Sequence, residues 1–493
     1  MKYTRQLLLV ATTIATAGLF GCGGGDETTI NYTATSTVTN GGTNGGGGNV
    51  ADCPTWAPGV VIQSQVVCQL PAEVLEDRTL TEDNIWYLAA QVRVGNGNED
   101  MSVTPGILAS GANVLNVTLT IEPGTQIWGR AFSPASNTVG NLIITRGSQI
   151  QAVGTAAAPI VFSSPDADFV GAGEWGGLIL HGYGVHNVCP PFAPGPCNVD
   201  SEGNSGKSGG YNDADSSGRL EYVIVTEGGA EFSTGNEING ISFVAVGSGT
   251  QIDFIQVNGN SDDGLEFYGG AVNAKHIVLT GNRDDSVDWD EGWQGNLQFV
   301  LVIQEDANTT QGNAIEADSE GNVINGDFST PTIANATFIG GGEQDDLWRF
   351  KESTGGFLLN SLGVYSNPTQ FPSGAPKTTT CADVVDLGSE NNIGTGLLDF
   401  NNVIIGCAVF GNARASGLMD TTTLMVDPQL DTNYASQAPE ASGVPLDVAG
   451  FKLGNSAAAS TDVGFFTDTN YIGAIDPAAA TAWFEGWTLD GSL

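Results

Sequence analysis

The pattern Asp-Asp-x-apolar-acid-aromatic is written at Asp262 to Phe267 and again at Asp284 to Trp289, a step of 22 residues. The apolar runs around it keep nearly that step: IDFIQV begins at 252, KHIVLT at 275 and LQFVLV at 297. GLEFYG from 264, SVDWDE from 286 and, after an insertion, AIEADS from 314 fall between them. Two or three short strands per period in the low twenties mark a solenoid, in which no turn buries its own apolar face and stacked turns share one core. A leucine-rich repeat has a similar period but needs a leucine and asparagine skeleton that is missing here, and a propeller blade needs about 40 residues. A jelly roll or other sandwich is the structural rival, because isolated alternating strands look the same in both. The recurrence favours an all-β fold, a right-handed parallel β-helix of about ten to twelve coils.

That fold gives the repeated phrase a geometry. Strand alternation puts Leu265 and Phe267 inside with Glu266 and Tyr268 outside, and Val287 and Trp289 inside with Asp288 and Asp290 outside. In-register stacking then makes Glu266 and Asp288 neighbours about 4.8 Å apart. AIEADS adds Glu316 and Asp318 on the next coil, and LWRFKE puts Arg349 and Lys351 outside after that. The face reads acid, acid, acid, base.

Like charges stacked on a sheet are destabilising unless something neutralises them. The pairs Asp262–Asp263, Asp284–Asp285 and Asp345–Asp346 have a plainer reading, since Asp stops strands and accepts backbone N–H bonds in turns. The first acid of each pair is read that way. The alternative is a cation-binding edge of the hard oxygen ligands that calcium takes. Its candidate ligands are Asp262, Asp263, Glu266, Asp284, Asp285, Asp288 and Asp290. No twelve-residue EF-hand loop accompanies them.

The chain opens with Lys2 and Arg5 ahead of the apolar run LLLVATTIATAGLF, too short for a membrane span. The run ends in Leu19-Phe20-Gly21-Cys22, which resembles the lipobox of bacterial lipoproteins. The resemblance implies cleavage after residue 21 and lipidation of Cys22, hence anchorage in a lipid bilayer. Gly23 rather than Asp after the cysteine implies passage to the outer membrane, and exposure of the body at the cell surface is a separate expectation. Residues 22–52, rich in Gly, Thr and Asn, read as a flexible tether. The folded part is expected to divide into an N-terminal cap and first strands at 53–120, the β-helix at 121–420 and a closing segment at 421–493.

Six of the seven cysteines are left once Cys22 is set aside. Six cysteines allow fifteen pairings. The local choice is Cys53 with Cys68, Cys189 with Cys197 and Cys381 with Cys407, as suits an oxidising compartment. No Cys-x-x-Cys spacing points to a metal. With 55 acidic residues against 15 basic and a formal charge of -40, nucleic acid is a poor partner.

The run Gly240 to Val302, the stretch GSQIQAVGTAAAPIVF and the end NYIGAIDPAAATAWFEGWT look like a group of secreted or lipid-anchored bacterial β-helix proteins common in marine and gliding bacteria. The likeness spans most of residues 110–488 and implies a pectin-lyase-like solenoid. It brings no catalytic residues with it.

Lyases and glycosidases use this fold, so an enzyme must be weighed. A hydrolase needs two carboxylates about 5–9.5 Å apart, and among 55 acids such pairs arise freely. A lyase acting on an anionic polymer needs a base, and the local ones are Lys275, His276, Arg283, Arg349 and Lys351. His181, His186 and His276 form no zinc triplet. Trp293, beside carboxylates, and Tyr268 are candidates to hold a sugar face. The reading favoured is a surface-anchored binding, adhesion-like or scaffold protein whose partner is an extracellular polysaccharide or a surface protein. The alternative is a calcium-assisted polysaccharide-active enzyme.

Overall fold

The computed structural model describes residues 53–103, 105–133, 138–166, 169–190, 197–231, 237–304, 312–319, 327–341, 346–365, 380–449, 451 and 464–493. Cys22, the segment before it and the tether lie outside these residues. So does Asp345.

Eleven strands, one per coil, stack into a single sheet from Glu73–Val74 to Val409–Gly411, each parallel to the next. The other strands of the coils join a seventeen-stranded sheet. In it Gln251–Asn258, Asn273–Thr280 and Asn296–Ile303 pair in parallel, matching Ile252 with Ala274 and Ala274 with Leu297. The architecture is a parallel β-helix. Between the sheets lies a continuous core in which Phe243 stacks on Phe267 at 5.1 Å and Phe267 on Trp293 at 4.0 Å.

The first parallel strands lie within residues 53–120. The hairpin Gly59–Ile62 with Gln65–Gln69 is an antiparallel cap whose second strand pairs in parallel with Ile85–Leu88, and a second small hairpin pairs Met101–Val103 with Ile107–Leu108. The cysteines pair 53–68, 189–197 and 381–407, with Cα–Cα distances of 5.4, 5.7 and 5.8 Å.

The long strands of the seventeen-stranded sheet bend at one residue per coil. Tyr222, Phe254, His276, Phe299, Asn335, Asn360 and Asn402 all have φ between 44° and 62°. This left-handed conformation costs an L-residue roughly 1–2 kcal/mol. Stacking offsets the cost at the aromatic positions: Tyr222–Phe254 is 4.4 Å, Phe254–His276 4.3 Å and His276–Phe299 4.9 Å between ring centroids. At the asparagine positions hydrogen bonds do so, as from Asn402 Nδ2 to Asn360 Oδ1 at 3.1 Å.

The segment from residue 464 to the end lies along the side of these bends rather than only closing the stack. Gln298 Nε2 donates to Thr467 O at 2.8 Å, Asn335 Nδ2 to Tyr471 O at 3.0 Å, and Leu489 N to Gln256 Oε1 at 2.8 Å. Trp487 meets Tyr222 and Phe254 edge-on, and Trp483 meets His276. Beneath this strap the outward residues Val161, Ile224, Val278, Leu301, Ile339 and Val364 are buried against Ile475, Phe484, Trp487 and Leu489. A parallel sheet is ordinarily covered on both faces, and here the chain's own tail covers the outer one.

Candidate functional site: a carboxylate row on the eleven-stranded sheet

Outside the eleven-stranded sheet the register runs Ser242, Glu266, Asp288, Glu316, Arg349, Asp383, each paired with the next. The stacking read from the repeat is therefore present, including the base that follows three acids. Exposure is where the structure departs from it. Glu266 is only 8% exposed, and Asp263, Asp285 and Asp318 are buried as well. This is a covered, desolvated face.

Its cover comes from a long excursion between the strands Leu178–His181 and Gly218–Thr226. His186 pairs through Nδ1 with Glu291, while its Nε2 lies 3.0 Å from Ser208 Oγ. Asn187 N donates to Glu291 O at 2.9 Å, and Asn187 Nδ2 to Ser319 O at 2.5 Å. The excursion's root is pinned by Arg146, whose buried guanidinium donates to the carbonyls of Gly97, Glu99, Cys197, Ser208 and Gly209. Glu202, on the excursion, comes to the Tyr268 hydroxyl and adds negative charge against Glu266. Tyr268 donates to Glu266, as does Asn239. Tyr268 thus joins the acid cluster instead of presenting a free ring.

The paired aspartates divide their roles in the order opposite to that expected. The second of each pair makes the turn ladder: Asp263 Oδ1 accepts from Asp285 N at 2.9 Å, and Asp285 Oδ1 accepts from Asn313 N. The first, Asp262 and Asp284, stand further out. Three groups of carboxylates bring oxygens within 4.8 Å of one another: Asp262–Asp263–Asp284, Asp263–Glu266–Asp288 and Asp285–Asp288–Glu316. Six of the seven candidate ligands are in these groups. Asp290 is not; it sits in the neighbouring row opposite Tyr268, and its Oδ1 accepts from Glu291 N. Glu316 completes the third group through the acid row already read from AIEADS. Glu202 was missed, because no repeat marks a residue in an irregular excursion.

Trp293 requires a correction. It is 0% exposed, stacked on Phe267, with its indole N–H donating to Val272 O at 3.2 Å. Glu291 (φ 54°) and Gly292 (φ 88°) turn the chain back under the sheet immediately before it. A Cβ on Gly292 would lie 2.9 Å from the Asn187 side chain, so the corner suits glycine on both counts. Trp293 fills the core and offers no sugar platform.

Electrostatics follow from burial. Asp262 is pushed up to about 8, first by desolvation and then by the charges of Glu237, Glu202 and Asp284. Asp263, Glu266, Asp285 and Asp288 are raised well above the usual carboxylate range for the same two reasons. Lys351 would be lowered by burial, but its hydrogen bond to Glu316 raises it overall. Its Nζ lies 2.5 Å from Glu316 Oε2 and 3.5 Å from Asp318 Oδ2, while Arg349 Nε lies 3.6 Å from Glu316 Oε1. Both cations thus serve the lower end of the row. Asp262, Asp263, Glu266 and Asp288 pair with no Lys or Arg among the described residues, and Asp288 Oδ1 is buried without a hydrogen-bond partner. Such a cluster can hold protons or bind a hard cation.

The other bases named from the sequence do not add to it. His276 is stacked between Phe254 and Phe299, with Nδ1 2.7 Å from Asp253 Oδ1, and Lys275 Nζ donates to Thr467 Oγ1 beneath the strap.

Residues 106–380, more than half of the chain, match the family described as Pectate-lyase like beta helix domain. No curated protein and no solved structure matched the chain. The parallel coils, their register and the extent of the match agree, and the chain belongs to the pectate-lyase-like beta-helix domain family.

Proposed function

We propose that the carboxylate row is a calcium-dependent binding face for carbohydrate, carried on a lipoprotein anchored at the cell surface through Cys22. The observation that carries this reading is the set of three interleaved carboxylate groups, each within 4.8 Å, containing the buried, unpartnered Asp288 Oδ1. Calcium takes six to eight oxygen ligands and keeps positions for water or a sugar hydroxyl. A bound cation would also offset the negative field that otherwise repels anionic polymers.

Binding is favoured over bond cleavage by what surrounds the acids. Elimination needs a base able to give up its proton, whereas Lys351 is raised and Arg349 lies against Glu316. Hydrolysis needs two carboxyl groups about 5–5.5 Å or 6.5–9.5 Å apart across a bond. Oxygens converging in threes within 4.8 Å suit one shared ion better.

Melting of the full chain in excess calcium, in chelator, and in sodium chloride of matched ionic strength tests the reading. Ligand at 100 times its Kd stabilises by about 2.7 kcal/mol, so a rise of about 3 °C is expected in calcium alone for a body of this size. Asp288→Asn should reduce that rise and abolish calcium-dependent retention on a polysaccharide affinity gel. Equal melting in calcium and matched salt would sink the cation site. Calcium-dependent melting without retention on any polysaccharide would sink the carbohydrate assignment alone.

Anchorage has its own test. Cys22→Ser should block maturation and release the protein from the membrane fraction. Unchanged membrane retention would refute it.

A further inference from the structure

A fourth carboxylate group shares no residue with the row. Asp166, Glu174 and Glu227 bring oxygens within 4.8 Å of one another at the corner where chain leaves the seventeen-stranded sheet. Asp166 follows the strand Ile160–Ser163, Glu227 follows Gly218–Thr226 on the next coil, and Glu174 precedes the strand Leu178–His181. The backbone locks these segments together: Glu174 N donates to Glu227 O at 2.9 Å, and Gly173 N to Gly228 O at 2.6 Å. Trp175, fully buried, donates its indole N–H to Thr226 O at 2.7 Å.

Glu227 is the informative member. Its side chain is 0% exposed, and one oxygen accepts from Ser164 N at 3.0 Å. Its other oxygen, Oε1, and Asp166 Oδ1 are buried and receive no N–H or hydroxyl donor, the two carboxyl groups meeting only each other. A buried carboxylate oxygen without a donor carries its full desolvation cost. Chains do not ordinarily place two such atoms in one acidic cluster without something that satisfies both. No Lys or Arg among the described residues pairs with either.

We propose that Asp166, Glu174 and Glu227 form a second divalent-cation site, selective for calcium, that ties two successive coils together at this corner. Three protein carboxylates supply hard oxygens from separate segments, and water would complete the coordination. The site is independent of the row, so the two are separable by substitution. Burial, followed by the charges of Asp166 and Glu174, raises the Glu227 carboxyl to about 8, which a cation would reverse.

The experiment uses the full chain, stripped with chelator, in an Asp288→Asn background that removes the row's central ligand. Calcium is titrated by calorimetry, and terbium luminescence is excited through tryptophan, Trp175 being the nearby donor. About one calcium per chain should still bind in this background, with sensitised terbium emission. Adding Glu227→Gln should weaken that calcium binding at least tenfold and abolish the emission, with the far-ultraviolet circular dichroism unchanged. Glu174→Gln, at a half-buried position, provides a second variant should Glu227→Gln fold poorly, and the same loss is expected. The proposal is overturned if the Asp288→Asn protein binds no calcium, or if both further variants bind as it does. A rise in melting temperature for Glu227→Gln in chelator, with calcium binding intact, would assign the pair a shared proton instead.

Discussion

Deletion of residues 464–493 is expected to make the β-helix body aggregate. The deletion uncovers Val161, Ile224, Val278 and Leu301, which share an outward row with Gln256 and Thr337, and Ile339 and Val364 in the row beside it. Each such apolar side chain gains about 1.5–3 kcal/mol from burial, and an apolar patch of this extent exceeds what a monomer leaves exposed. The hydrogen bonds from Gln298, Asn335 and Gln256 to the strap vanish with it. Soluble yield should fall by at least about tenfold, with the remainder binding a hydrophobic dye. The milder Trp487→Ala should cost about 3–5 kcal/mol, as large-to-small changes of buried aromatics do. A truncated chain that stays monomeric and melts as the parent does would show the strap to be dispensable.

Raising the pH in chelator should destabilise the body, and calcium should cancel the effect. Burial and mutual repulsion hold Asp262 and Glu227 at about 8 and raise Asp263, Glu266, Asp285 and Asp288 as well. Unfolded carboxyls titrate near 4, so between about 4 and 8 the native state holds more protons than the unfolded one. Stability then falls as pH rises through that window. His181 acts the other way. Burial, then the charge of Arg146, lowers it to about 3, so its contribution is complete above about 6.5 and is lost as pH falls below that. From pH 6.5 to 8 the histidine is silent and the carboxylates alone set the slope. The melting temperature in chelator should drop by about 5 °C or more across that interval. In excess calcium the drop should disappear, because the ion binds the deprotonated form. A flat profile in chelator would mean that the acids are ionised in the native state without a cation.

What could be read from the residues follows what the coils repeat. GLEFYG and SVDWDE spell the same inward and outward positions, so the stack Glu266–Asp288–Glu316–Arg349 was legible from spacing alone. The cysteine pairs were legible because each spans a short separation. The bend was not. Strict alternation through IDFIQV would put Phe254 and Gln256 inside, but the left-handed residue at 254 shifts the phase, and Ile255 and Val257 point inward instead. Trp293 was misplaced for a related reason, since two positive-φ residues precede it. The depth of the acid row depends on an irregular excursion that no periodicity describes. Strap packing depends on AWFEGW, which occurs once and has no coil to be compared with.

The bend ladder constrains where this chain can change length. From Gly218–Thr226 onward each coil bends at one left-handed residue, at 222, 254, 276, 299, 335, 360 and 402, whereas the coil before them joins Gln149–Val153 to Ile160–Ser163 through residues 154–159. Among the described residues the long excursions fall at the corners beside the eleven-stranded sheet, as in 182–190 with 197–217 before Gly218–Thr226 and 385–397 before Leu398–Asn401. A longer bend would lift the strap and break a ladder of stacked side chains. A longer corner alters only what overhangs the acid row. The molecule therefore has a sealed back and an editable front. New recognition loops grafted at the front corners should leave the scaffold intact, whereas a single residue added to the bend at 222 or beyond should not.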